Sequence, residues 1–256
     1  MVPYLHYRAL TYKLSNNVLD ICDITYTGEK ALQRKNISDK DSIYQILTRV
    51  LITFSGVDGS GKTTLSTALV KRLAHENVNT EYLWWFSAEN SFFGKIVGFV
   101  VHKLFKPPEN NNVTVSTIGR AQVVYQFLVL TDYLLHIWFL LALRKNIVCD
   151  RYIYDIVAFF VTELHYSETK ARKLLKLLRN VAPQPRVAFL VDVPAEIAIQ
   201  RKQDVPSIEQ HEKLRRLYFD LAKGDHKTII LDGSKKLDEL NDIVWTHVRH
   251  YLENKS

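Results

Sequence analysis

One continuous stretch constrains this chain more than any other. Val50-Leu51-Ile52-Thr53-Phe54-Ser55 runs into Gly56-Val57-Asp58-Gly59-Ser60-Gly61-Lys62-Thr63, and Thr64-Leu65-Ser66-Thr67-Ala68-Leu69-Val70 follows. The first run is nearly all apolar, the pattern of a strand buried on both faces of a parallel sheet. The second satisfies the spacing G-x-x-x-x-G-K-[ST]. Its glycines let the backbone curl into a nest whose N–H groups converge on one anion. The third run forms a helix, whose positive end points at that anion. Gly56, Val57, Asp58, Gly59, Ser60, Gly61, Lys62, Thr63 and Thr64 are therefore candidate phosphate-cradling residues. In such a loop the lysine reaches the β- and γ-phosphates of a nucleoside triphosphate and the threonine hydroxyl ligands Mg²⁺. A glycine-rich turn that matches by accident is the rival reading, and the strand before and helix after argue against it.

Downstream, apolar β-rich runs alternate with helical patterns, the signature of an α/β fold with a parallel sheet between helices. Strands are expected near Val50–Ser55, Thr80–Phe86, Asn146–Asp150, Arg186–Asp192 and Thr228–Leu231. Helices are expected near Lys62–His75, Ser91–Lys106, Gly119–Arg144, Ile153–Glu163, Glu168–Asn180, Ala195–Lys202, Ile208–Lys223 and Leu237–Leu252. With 256 residues, 47% of them apolar, the chain suits one sizeable core with an appendage. The early residues break the rhythm: Tyr4–Leu14 and Val18–Tyr26 flank Ser15-Asn16-Asn17, which reads as a β-hairpin, with a short helix near Ser38–Thr48. The division expected is thus an N-terminal extension, 1–48, and a main body, 49–256.

Composition narrows the partners. The net charge of +7 suits a phosphate-bearing ligand, but the basic residues are scattered, so a nucleic-acid partner is not expected. Cys22 and Cys149 make no disulfide framework and lack metal-ligand spacing, and Cys149 in its apolar run reads as a buried small hydrophobe. No secretory apolar region opens the sequence, so the expected compartment is cytoplasmic. Val123–Leu143 is long enough to cross a bilayer, yet it carries Gln126, Asp132 and His136, which are costly in lipid. It is read as a core helix instead. Ser91–Lys106, apolar with interspersed lysines, reads as a helix over an acceptor pocket, with a membrane interface as the disfavoured alternative.

A GTPase needs a guanine-reading N-K-x-D, and the nearest approach, Ala222-Lys223-Gly224-Asp225, has the wrong first residues. Motors and helicases usually need more chain, which leaves kinases of small acceptors. Three further runs then matter: the acid inside the loop, Asp58, in G-x-D-G-x-G-K-T-T; Val148-Cys149-Asp150-Arg151-Tyr152 at a strand end; and Phe189-Leu190-Val191-Asp192-Val193-Pro194-Ala195-Glu196, leading to Ala198-Ile199-Gln200-Arg201-Lys202 and Arg215-Arg216-Leu217-Tyr218-Phe219-Asp220-Leu221-Ala222. Together these resemble the thymidylate kinase family, within the nucleoside-monophosphate kinase fold, from about Val50 to the C-terminus.

The resemblance implies a P-loop NTPase fold, a three-layer αβα arrangement with a five-stranded parallel sheet in the order 2-3-1-4-5. It implies ATP and Mg²⁺, with thymidylate (dTMP) phosphorylated to dTDP. Asp150 would hold the Mg²⁺ water shell beside Thr63, Arg151 would bridge donor and acceptor phosphates, and Asp58 would contact or orient the acceptor. Arg201, with Lys202, lies where the family's lid over the triphosphate begins, and Arg215 follows it. Asp232-Gly233-Ser234 matches the loop bordering the base. Each has a plainer alternative: an ion pair between Asp150 and Arg151, an Asx turn at Asp58, solvated arginines, an ordinary turn. A homodimer is carried as an expected assembly.

The acceptor side departs from the family. Leu83-Trp84-Trp85-Phe86-Ser87-Ala88-Glu89-Asn90 lacks the usual arginine, as does Leu130-Thr131-Asp132-Tyr133, and Arg120 is an unaligned substitute. Trp84, Trp85, Phe86, Phe92, Phe93, Tyr125 and Phe127 could stack on a base, though such aromatics are more often core. Two rivals follow: a kinase of a sugar or lipid-linked alcohol, and a non-catalytic ATP-binding switch. Lys62, Thr63, Asp150 and Arg151 argue against the switch.

Overall fold

The computed structural model describes residues 50–84, 115–202 and 207–253, with the backbone alone at 115–122 and 253. The expected N-terminal hairpin, the helix near Ser38–Thr48, the helix over Ser91–Lys106 and the residues Trp85, Phe86, Phe92 and Phe93 lie outside the described residues.

Strand β1 (Leu51–Ser55) is buried along its whole length. Such a strand needs neighbours on both sides and cover on both faces, and it has them: β3 (Asn146–Asp150) and β4 (Val187–Asp192) flank it in parallel. Strands β2 (Thr80–Trp84) and β5 (Thr228–Asp232) close the sheet, giving the order β2-β3-β1-β4-β5. The two edge strands are only partly buried, as edges are.

Alternate residues of these strands face opposite layers. One face carries Ile52, Phe54, Val148, Phe189 and Val191 against Leu65, Leu69 and Leu73 of α1 (Lys62–His75) and Leu240, Val244 and Val248 of α7 (Leu237–Glu253). The Phe54 and Phe189 rings stack there, 5.0 Å between centroids. The other face carries Leu51, Ile147, Cys149 and Leu190. Helices α2 (Val115–Ala142), α3 (Ile153–Thr162), α4 (Glu168–Val181) and α6 (Ile208–Ala222) cover it, and α5 (Ala195–Arg201) links β4 to α6. Cys149 is fully buried, as its apolar surroundings suggested.

Helix α2 corrects one expectation. It was read as apolar on nearly all sides and therefore buried; only one face is. Leu130, Asp132, Tyr133, Leu134, Ile137 and Leu140 are buried, whereas Val124, Leu128, Leu135, Trp138 and Phe139 are 37–59% exposed. The helix lies in a single layer on the sheet, and on its exposed side Trp138 donates to Val181 O of α4. By length and composition Val123–Ala142 is apolar enough to cross a membrane.

Register fixes what stands at one edge of the sheet. Phe54 pairs with Asp150, Trp84 with Asp150, Ser55 with Leu190, and Asp192 with Asp232. The chain therefore leaves β1 into Gly56, β3 into Arg151 and β5 into Gly233 along the same carboxyl edge, where ligands bind in open parallel sheets.

Candidate functional site

The loop between β1 and α1 turns on glycines where nothing else would serve. Gly56 has φ 147°, and a Cβ there would sit 2.4 Å from the Val191 carbonyl oxygen. Gly61 has φ 94° as the residue before α1, and a Cβ there would meet nothing within 4 Å. Its demand is one of backbone conformation, and the open space beside it lies at the helix N-terminus. Val57 and Ser60 are buried, joined by Ser60 N–H donating to Val57 O at 3.2 Å, and the Ser60 hydroxyl is buried without a partner among the described residues.

Lys62 is 4% exposed and curls over the loop, donating to Val57 O at 3.0 Å and Asp58 Oδ1 at 3.3 Å. Burial and the Arg151 charge pull its pKa below the ordinary lysine value, and Asp58 partly offsets them. Thr63 donates its hydroxyl to Asp150 Oδ2 at 2.6 Å, and the Tyr82 hydroxyl donates to the same oxygen at 3.1 Å. Asp150 is fully buried, and its other oxygen, Oδ1, has no hydrogen-bond partner among the described residues.

Asp58 is a hub. Its carboxylate meets Lys62 at 3.3 Å, Arg151 at 2.5 Å and Lys202 at 3.3 Å. Burial alone would raise its pKa; the three cations outweigh that and hold it well below the usual carboxylate range. Its oxygens meet side-chain cations and not the loop's N–H groups, so the Asx-turn alternative is not what forms among the described residues. Arg151 sits at φ 78°, in the left-handed region, with its N–H on Phe54 O at 2.8 Å and its carbonyl accepting from the Tyr133 hydroxyl at 3.0 Å. Its guanidinium reaches Asp58 through Nη2 and Asp155 through Nη1, the latter at 3.5 Å. Burial opposes its charge, but Asp155 and Asp58 more than compensate and keep it protonated. Asp150 and Arg151 thus look to different partners, and among the described residues Arg151 pairs with Asp58 and Asp155, not Asp150.

Two arginines expected near the triphosphate are partnered within the protein. Arg201 donates to Gly233 O at 2.8 Å, tying the end of α5 to the turn after β5. Arg215 forks onto Asp192, at 2.5 and 2.7 Å. The Asp232-Gly233-Ser234 turn is closed by Asp232 Oδ1 accepting from Ser234 N at 3.0 Å, and Gly233 N–H donates to Asp192 O at 2.6 Å. Phe127, partly buried, packs against the core, with its ring 5.1 Å from that of Phe160. Arg120 lies in the first turns of α2, with its side chain outside the described residues.

The structure therefore gathers Asp58, Lys62, Thr63, Asp150, Arg151 and Lys202 and leaves Arg201 and Arg215 at the neighbouring turn and strand. It adds residues not anticipated from the sequence: Tyr82 on Asp150, Tyr133 on the Arg151 backbone, and Asp155 on its guanidinium. Of these only Asp155 left a trace, as an acid in the first turn of the helix opened by Arg151-Tyr152, a position favoured by helix capping and dipole.

Comparison with known proteins agrees with this geometry. The family model for thymidylate kinase matches residues 54–244. A probable thymidylate kinase of Methanocaldococcus jannaschii is 26% identical over 212 residues, covering 82% of this chain and 98% of its own length. The thymidylate kinase of Plasmodium falciparum is 28% identical over 200 residues, with 75% and 87% covered. That of Kosmotoga olearia is 24% identical over 208 residues, with 76% and 93% covered. A loop of this shape, consecutive Asp150 and Arg151 at the adjacent strand end, this strand order and a family match over residues 54–244 place the chain in the thymidylate kinase family.

Proposed function

We propose that this chain transfers the γ-phosphoryl group of ATP to a nucleoside monophosphate, thymidylate, giving thymidine diphosphate. The observation that carries the reading is the convergence of Lys62 and Arg151 on Asp58, beside Thr63 and Asp150. Phosphoryl transfer is mostly positioning and charge neutralisation, and here a buried lysine and a partly buried arginine stand together at the mouth of a phosphate-cradling loop. Lys62 serves the donor phosphates, Arg151 spans donor and acceptor, and Asp58 orients the acceptor. Lys202 reaches the same carboxylate from the start of the segment before α6, and Arg201 steadies the base-side turn.

Mg²⁺ suits the residues present. A hydroxyl and a carboxylate are hard oxygen donors, and Oδ1 of buried Asp150, without a partner among the described residues, fits an acceptor for a metal-bound water. Thr63 and Asp150 would hold the ion, which neutralises charge on the triphosphate when bound. Residues 49–256 form the catalytic body in this reading, with 1–48 an extension.

The exposed face of α2 supports a homodimer. Val124, Leu128, Leu135 and Phe139 recur at helical spacing on it, and Trp138 bonds across to Val181 O at 3.1 Å beside exposed Leu177. Leu135→Glu with Phe139→Glu is expected to turn a dimer sedimentation coefficient into a monomer one; an unchanged coefficient would contradict this assembly.

The function is tested by following ADP release from Mg-ATP with a panel of nucleoside monophosphates, sugars and isoprenoid alcohols. Thymidylate is expected to give the fastest release. Release with a sugar or isoprenoid alcohol alone would move the acceptor out of the nucleotide class.

A further inference from the structure

Asp155 has no role above beyond its contact with Arg151, yet it is only 2% exposed, and a carboxylate so deep is costly unless paired and hydrogen-bonded. Both its oxygens are engaged. Oδ2 accepts the Tyr152 N–H at 3.1 Å; Oδ1 accepts the Tyr218 hydroxyl at 2.9 Å and lies 3.5 Å from Arg151 Nη1. Tyr218 comes from α6 and is 4% exposed. Burial, then the Asp155 charge, push its phenol well above the ordinary tyrosine value, so the hydroxyl keeps its proton and donates.

Arg151 is therefore held by two carboxylates of different character. Asp58 lies in the phosphate loop, is 37% exposed at its side chain, and is shared with Lys62 and Lys202. Asp155 is fixed by a backbone N–H and a buried hydroxyl. Incoming phosphates compete for what Asp58 holds and not for what Asp155 holds. The left-handed backbone of Arg151 adds a reason for such support, since the side chain departs from a conformation that few residues adopt unaided.

We infer that Asp155 and Tyr218 are positioning residues for phosphoryl transfer. They hold one edge of the Arg151 guanidinium so that its other edge stays aimed at the phosphates, and Tyr218 anchors that hold in α6. The inference rests on the bridging role given to Arg151 above. A purely structural duty asks less of these residues: an asparagine can cap Tyr152 N–H, and a phenylalanine can fill the space of the Tyr218 ring. Only the aim of a charge needs the carboxylate and the hydroxyl together.

The test is a kinetic double-mutant cycle on the full chain, with Mg-ATP and thymidylate. Tyr218→Phe is expected to lower kcat about tenfold, the scale for one hydrogen bond to a charged group, with KM for ATP within about twofold of wild type. In an Arg151→Ala background the same substitution is expected to change kcat less than about twofold, because groups acting as one unit are not additive. Asp155→Asn should show the same pattern, and it carries the test if Tyr218→Phe does not fold. Equal losses in both backgrounds, or an unchanged kcat for both variants in the otherwise wild-type chain, would overturn the inference alone. A wild-type chain that releases no ADP with any acceptor would take down the phosphotransfer reading, and this one with it.

Discussion

Two arginines of this chain meet aspartates near the carboxyl edge of the sheet, and they do so differently. Arg215 forks onto Asp192 with both contacts at or under 2.7 Å and keeps Glu212 at 3.4 Å. That is a bidentate pair, with planar fork matched to carboxylate, and it ties α6 to β4. Arg151 divides its guanidinium between Asp58 and Asp155, one nitrogen to each, and both carboxylates have other cations or donors to satisfy. A closed fork has little left to offer a ligand. A divided one can keep its fixed partner and exchange the other for phosphate. Composition does not distinguish the two arginines; the way each charge is partnered does.

The comparison is sharpened first by the donor lysine. Lys62→Ala is expected to lower kcat by about 10²–10³, the scale for losing one charge-stabilising group, with an unchanged far-ultraviolet spectrum. Next comes the direct contrast. Arg151→Lys should lower kcat about ten- to a hundredfold with a smaller change in ATP affinity, since lysine cannot serve two partners with one planar fork. Arg215→Lys should leave kcat within about threefold and lower the melting temperature, by about 1 kcal/mol of stability for a pair partly open to solvent. If Arg215→Lys hurts turnover more than Arg151→Lys, the contrast is broken. On the acceptor side, Arg120→Ala is expected to weaken thymidylate binding about tenfold by calorimetry in the presence of a non-hydrolysable ATP analogue, the loss of one charge-assisted bond.

The smallest effect concerns acid. Asp58 has its pKa depressed in the folded chain, so its contribution is present above the unfolded carboxylate value, about 3.9, and is lost as pH falls through the folded one. Melting temperature against pH should therefore fall less steeply below about pH 4 in Asp58→Asn than in wild type. Equal slopes would mean that the three cations do not stabilise the charge.

What the sequence could reveal follows from range. The cradle at Gly56–Thr64 is local: its residues are consecutive, and their chemistry is fixed by spacing. The strand and helix rhythm is local too, and the described elements fall within a few residues of expectation. Strand order is not, because periodicity says nothing about which strands are neighbours; it came from the resemblance alone. Helix α2 shows another limit. Its apolar residues surround it, so no stripe told the buried face from the exposed one. Partners of charged residues lie furthest from view. Arg215 finds Asp192 across 23 positions and Tyr218 finds Asp155 across 63, and neither separation has a signature in the chain.

The central claim is that phosphate passes from ATP to thymidylate at this cluster. A single-turnover reaction with γ-labelled ATP, Mg²⁺ and thymidylate tests it most directly, because the label reports where the phosphoryl group goes. The account predicts label in thymidine diphosphate at a rate that Arg151→Lys lowers about ten- to a hundredfold. Label appearing only as inorganic phosphate, or remaining in ATP, would contradict it.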